Sequence, residues 1–153
     1  MRNQRKLLLH QIDRKLNPFK EAEKVTVPSA GWVNNIRIAL NMTLEQLGNR
    51  LNISKQGVKK IEEREASGSI SINLLREVGN ALDMNFVYGF VPKHGSVENL
   101  IDIKAKKLAS KIVLRTNHNM KLENQENNQK LIVSAIDELA KEIKHKMNKS
   151  LWD

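Results

Sequence analysis

Four side chains in one short stretch, Lys55, Gln56, Lys59 and Lys60, are of types that donate hydrogen bonds to bases and phosphates. They pair at i, i+4 as 55/59 and 56/60, so on a helix they share an exposed face. Lys donates to guanine O6 and N7, Gln is bidentate to adenine N6 and N7, and the remaining ammonium groups reach phosphates. Lys55, Gln56 and Lys60 are therefore assigned to base edges; Lys59, Arg50, Arg64 and the helix start at Thr43 and Gln46 are assigned to phosphates. The competing explanation is a solvated Lys face. Other chemistries find less support. His10, His94, His118 and His145 are scattered without HExxH or paired-ligand spacing, so no metal site is expected. Glu123, Glu126, Asp137 and Glu138 alternate with lysines, as solvated helical pairs do. Seven glycines form neither GxGxxG nor a P-loop, and there is no cysteine for thiol catalysis or disulfides. No catalytic residue, no cofactor and no enzymatic activity are expected.

To read DNA, that cationic face must be carried by a helix-turn-helix, in which one helix lies in the major groove and another braces it. The stretch from Leu44 to Glu63 meets the geometric demands of that motif. Gly48 supplies a very small residue where the second helix crosses the first. Asn52 is one of the few non-glycine types that tolerate positive φ in the turn. Thr43, with Gln46 three residues on, makes a capping box for the first helix, and Ser54 caps the second. Leu44, Leu47, Leu51, Ile53, Val58 and Ile61 are all apolar and expected to close a small core. Agreement at the geometric positions as well as on the surface favours the motif over a solvated face.

The rest of the chain reads as mainly α. Amphipathic spacing predicts helices over 5–16, 32–40, 71–82, 97–115 and 129–146, and Asn17-Pro18 ends the first. Phe86–Val91 alternates rings with small residues and predicts a strand stopped by Pro92; Val25–Val27 is a second, shorter extended candidate. Three sections follow: 1–29 as helix and linker, 30–92 as the DNA-binding domain with its terminal strand, and 93–153 as a helical region for dimerisation or partner binding. A lone strand leaves backbone groups unpaired, so a homodimer contact is expected outside the recognition helix, through the strand with Phe86, Tyr88 and Phe90, through the C-terminal stripe Ile132, Ile136, Leu139 and Ile143, or through both. Pairing of 86–91 with 25–27 inside one chain is the rival. Trp152 is assigned either to the core or to a partner.

The 153 residues carry a net charge of +9, which biases the chain toward polyanions. Yet 30–92 holds seven Lys/Arg against six Asp/Glu, whereas 1–29 has seven against three and 93–153 twelve against eight. DNA binding by the middle section thus depends on where charge is placed. The apolar run Leu7–Leu9 is too short for a signal peptide and no stretch reaches the ~20 apolar residues of a membrane helix, so a soluble, cytoplasmic protein without membrane contact is expected.

With Arg37 six residues before Thr43, the Thr-Leu-Glu-Gln-Leu-Gly start and Ile61-Glu62, residues 32–83 resemble the Cro/C1-type (Xre) helix-turn-helix domain of phage repressors. That resemblance implies a five-helix fold docking on a palindromic operator as a two-fold dimer, and a structural ion pair between Arg37 and Glu62. Over nearly its whole length the chain resembles the bacterial mobile mystery protein A family. The features that carry this are Gly31-Trp32, Gly68-Ser69-Ile70, Phe-Val-Tyr-Gly-Phe-Val-Pro at 86–92, Met120-Lys-Leu-Glu-Asn-Gln125 and Leu151-Trp152-Asp153. Genes of that family tend to lie beside one for a Fic-domain protein. The resemblance therefore implies an autorepressor of its own operon, or alternatively an antitoxin that neutralises a Fic-domain toxin. Antitoxins of that kind carry Ser/Thr-x-x-x-Glu followed by Gly or Asn; here Ser134–Glu138 is followed by Leu139.

Overall fold

The computed structural model describes residues 2–116 and 125–153. These residues are mainly α. Seven α-helices are present among them: α1 (Arg2–Leu16), α2 (Trp32–Ala39), α3 (Leu44–Leu51), α4 (Lys55–Ser67), α5 (Ile72–Ala81), α6 (Val97–Thr116) and α7 (Gln125–Lys146). Short 3-10 helices span Asn17–Lys24 and Lys149–Trp152. The three serial sections of the sequence reading gather into two compact units, one of residues 23–89 and one of residues 1–22 with 90–153.

In the 23–89 unit, local chemistry sets the helix boundaries. Thr43 and Gln46 form the reciprocal capping box, with Gln46 N donating to Thr43 Oγ1 (3.1 Å) and Thr43 N to Gln46 Oε1 (2.9 Å). Ser54 accepts from Gly57 N and Ser71 from Leu74 N, each at 3.1 Å. Stops are equally local: Asn52 at φ 57°, Gly68 at φ 79° and Asp83 at φ 57° turn the chain left-handed after α3, α4 and α5. Val33, Leu47, Val58, Ile61, Val78 and Leu82 make the core, flanked by Ile36, Leu44, Leu51, Leu74 and Leu75. Leu47 and Val58 are fully buried, and each contributes on the order of 2 kcal/mol by leaving water. Ile53, expected inside, lies at the rim and stays exposed, because the turn that carries it packs its backbone rather than its side chain on α3.

The strand expected at Phe86–Val91 does not form: there is no strand among the described residues, and 84–92 has no regular structure. Val25–Val27 is likewise irregular and pairs with nothing as a ladder. A strand needs a neighbour to take its backbone groups, and here the chain after α5 folds back on that helix instead. Gly79 admits it; a Cβ there would come within 3.0 Å of the Met84 carbonyl oxygen. Phe86 is half-buried and stacks on Tyr88 with ring centroids 6.1 Å apart, and the Arg76 guanidinium lies 5.6 Å from the Tyr88 ring centre. Residues 30–92 hold four α-helices, α2 to α5, where the repressor resemblance implies five.

In the other unit, α6 buries Ile101, Ala105, Ala109 and Val113 at helical spacing. Leu9 of α1, Ile143 of α7 and Leu151 of the last 3-10 helix pack onto that face, with Ile136, Leu139 and Met147 around them. Ile136, Leu139 and Ile143, assigned from sequence to a dimer face, are thus used in the core of their own unit. An apolar stripe is the same whether it meets another helix of the chain or a second copy; α6 is the nearer partner. Asp13 of α1 caps α6, accepting from Val97 N (2.7 Å) and Glu98 N (3.1 Å). Lys144 of α7 lies 2.7 Å from Asp102 Oδ1 and 3.2 Å from Glu98 Oε1 on α6. These carboxylates hold the Lys144 ammonium above its ordinary pKa of 10.5, Asp102 contributing most and burial opposing. Among the described residues no helix is long and apolar enough to cross a membrane.

Candidate nucleic-acid interface

The interface is built on the short turn between α3 and α4. Asn52 reverses the chain at φ 57°, ψ 40°, and Ile53 N donates to the Gly48 carbonyl at 2.9 Å. A Cβ at position 48 would lie 2.6 Å from the Ile53 carbonyl oxygen, so only glycine admits this approach. Sequence placed the need for a small residue correctly, but the group that crowds it is the turn backbone ahead of α4. From Ser54 onward Val58 and Ile61 point into the core. That leaves Lys55, Gln56, Lys59, Lys60 and Arg64 exposed on α4.

The assigned phosphate ligands are placed differently from one another. Thr43 and Gln46 use their side chains on each other, so what the start of α3 offers is backbone. Arg50 donates from Nη1 to the Ala81 carbonyl (3.0 Å) and lies 3.4 Å from Asp83 Oδ2, with half its side chain exposed. Its guanidinium is therefore partly committed to the end of α5.

Arg37 and Glu62 meet. Arg37 Nε lies 2.5 Å from Glu62 Oε1, and the two side chains are only 12% and 8% exposed. Arg37 also donates to the Met42 carbonyl (2.9 Å), and Asn34 donates to Glu62 Oε2 (2.9 Å). The pair joins α2 to α4 and leaves neither charge unsatisfied. Sequence reasoning missed Glu65, three residues further along α4. Its two oxygens accept from Trp32 N (2.6 Å) and Val33 N (2.7 Å), capping α2 from a distance. Gly31, at φ 86°, makes room, since a Cβ there would approach Glu65 Oε2 to 2.8 Å. The signal was an absence: Gly31-Trp32 begins a helix with no Ser, Thr, Asp or Asn before it, so a cap had to come from elsewhere. Asp13 was missed for a different reason: Ser96 already offers α6 a local cap, accepting from Asn99 N (3.0 Å), so nothing in the sequence asked for a second one.

Of the remaining assigned residues, Tyr88 and Phe90 are exposed, Phe90 to 80%, and Ile132 is half-buried. Trp152 is 58% exposed beside the buried Leu151, so Leu151 anchors the end of the chain while the indole faces solvent. Among the described residues no three of His, Cys, Asp and Glu gather as a metal site. His118, Glu123 and residues 120–124 of the Met120–Gln125 run lie outside the described residues. No family model, no curated protein and no solved structure matches this chain.

Proposed function

We propose that residues 30–92 are a phage-repressor-like helix-turn-helix domain and that the chain is a sequence-specific DNA-binding regulator, an autorepressor acting on a palindromic operator as a homodimer. The observation that carries this is the turn itself. Gly48 packed under the Ile53 carbonyl, Asn52 left-handed and Ser54 capping α4 leave Lys55, Gln56, Lys59 and Lys60 outward on one helix face. In this reading α4 enters the major groove, Lys55, Gln56 and Lys60 read bases, and Lys59 and Arg64 hold phosphates. The Arg37–Glu62 pair orients α4 and stays off the DNA. Selection of bound duplexes from a random pool supplies the operator. On that operator and on random DNA, Gln56→Ala should remove ~1–3 kcal/mol of discrimination, whereas Arg64→Ala weakens both DNAs alike and lowers the salt slope by about one. Equal weakening of both DNAs by Gln56→Ala overturns the assignment.

A second function, an antitoxin that binds a Fic-domain toxin, is favoured by exposed groups that the DNA reading leaves unused. These are Trp152 and, on α7, Leu131, Val133 and Ser134. In the stretch that resembles the inhibitory pattern, Ser134, Asp137 and Glu138 are exposed while Leu139 packs on the core. Leu139 stands where the pattern has Gly or Asn, so the proposed contact is with the toxin's surface. Co-expression with the neighbouring gene product should give a complex that Trp152→Ala weakens; separate elution of the two proteins rules it out.

A further inference from the structure

Most of the excess positive charge belongs to the unit that does not carry the proposed reading helix. Residues 1–22 with 90–153 hold 18 Lys/Arg against 10 Asp/Glu, a net charge of +8. Residues 23–89 hold eight against seven, a net charge of +1. Much of the affinity of a protein for duplex DNA comes from displacing counterions, and a nearly neutral reading unit displaces few.

On α6 the acids are confined to one side, which Lys106 shares, and four other cations line another. Its two acids, Glu98 and Asp102, lie toward α7 and share Lys144. From Ile103 to Thr116 the helix has no acidic residue. Lys104, Lys107, Lys111 and Arg115 follow at spacings of three and four, which puts them along one line of the helix. Ile101, Ala105, Ala109 and Val113 are buried on another side, which leaves Lys107, Lys111 and Arg115 exposed and Lys104 half-buried at the start of the line. Among the described residues none of these four cations meets a carboxylate within ion-pair distance. At a rise of 1.5 Å per residue they span about 16 Å, and duplex DNA presents a charge every ~1.7 Å of its axis. An array held on a packed helix binds without first having to be ordered.

We infer that the Lys104–Lys107–Lys111–Arg115 face of α6 is a second duplex-DNA contact, one that supplies phosphate affinity without sequence preference. This rests on the DNA-binding reading and adds the surface that accounts for its affinity. The charge partition favours nucleic acid over an anionic membrane: the reading unit has cations on α4 but a net charge of only +1, which leaves most of the chain's excess positive charge to the unit that carries α6.

The test uses the full chain with all four residues changed to Gln, on the selected operator and on random duplex across a salt series. The slope of log Kobs against log salt should fall by about two to four on both DNAs, with the operator-to-random ratio unchanged. Lys111→Gln alone should lower it by about one, which guards against a folding defect in the quadruple variant. An unchanged slope in a variant with normal circular dichroism overturns the proposal. So does a variant that loses binding to vesicles of anionic phospholipid while its DNA slope stays as before. If the parent chain shows no operator preference, the reading-helix assignment fails; loss of slope on random duplex still supports the α6 contact.

Discussion

At the scale of single residues, Glu62 and Gly48 place α4, each by a different force. Glu62→Gln keeps the shape and removes the charge, leaving the Arg37 guanidinium confined without its counterion. Breaking one partner of a buried pair costs ~3–5 kcal/mol, and the residual exposure here puts the expected loss near the lower value. Thermal melting should therefore fall along with DNA affinity; unchanged melting with lost binding would make Arg37 a phosphate ligand. Gly48→Ala tests sterics instead. The new methyl would meet backbone at 2.6 Å, with no flexible side chain to yield. Urea unfolding should show a loss of ~1–3 kcal/mol, as overpacking does. An unaltered midpoint would mean that the turn shifts freely and that the close approach is not what positions α4. Gly48, Asn52 and Ser54 were legible in sequence because each is required by neighbours within a few residues. Glu65 and Asp13 were not, because a carboxylate that caps a helix far along the chain looks like any surface acid.

At the scale of elements, Lys144 joins α7 to α6 and should do so in a pH-dependent way. Its folded-state pKa is raised above 10.5, so folding favours the protonated form. The contribution is complete below 10.5 and is lost as the pH rises through the raised value. For a side chain about a third exposed, it is worth roughly 0.5–1 kcal/mol after solvent screening. Lys144→Gln should lower the denaturation midpoint at neutral pH, and the gap from the parent should close above pH 10.5. A gap that persists undiminished there would show that the side chain acts by packing and not by charge. Helix boundaries were largely legible, since caps and left-handed stops are local chemistry. The strand was not. Alternation at Phe86–Val91 suits a strand, but only a neighbouring strand turns an extended segment into sheet; here Phe86 packs by Gly79 of α5 while Tyr88 and Phe90 stay exposed.

At the scale of the whole molecule, the proposed homodimer must use surface that neither core consumes. Ile136, Leu139 and Ile143 are spent, whereas Val87, Tyr88, Phe90 and Trp152 remain exposed. Tyr88→Lys should then halve the mass seen by light scattering and weaken operator binding, because a dimer reads two half-sites about 34 Å apart. A variant that keeps both the mass and the affinity moves the contact elsewhere.

Sequence by itself determined the mainly helical class, the α3–turn–α4 boundaries and the residues left outward on α4. Each depends on propensity, capping or periodicity within a turn or two of chain. Tertiary structure alone decided that residues 1–22 join 90–153, that Glu65 and Asp13 cap distant helices, and that the α7 stripe is core. An apolar stripe or a surface acid states what it needs and not who supplies it. The supplier is chosen by which segments the closed chain brings together.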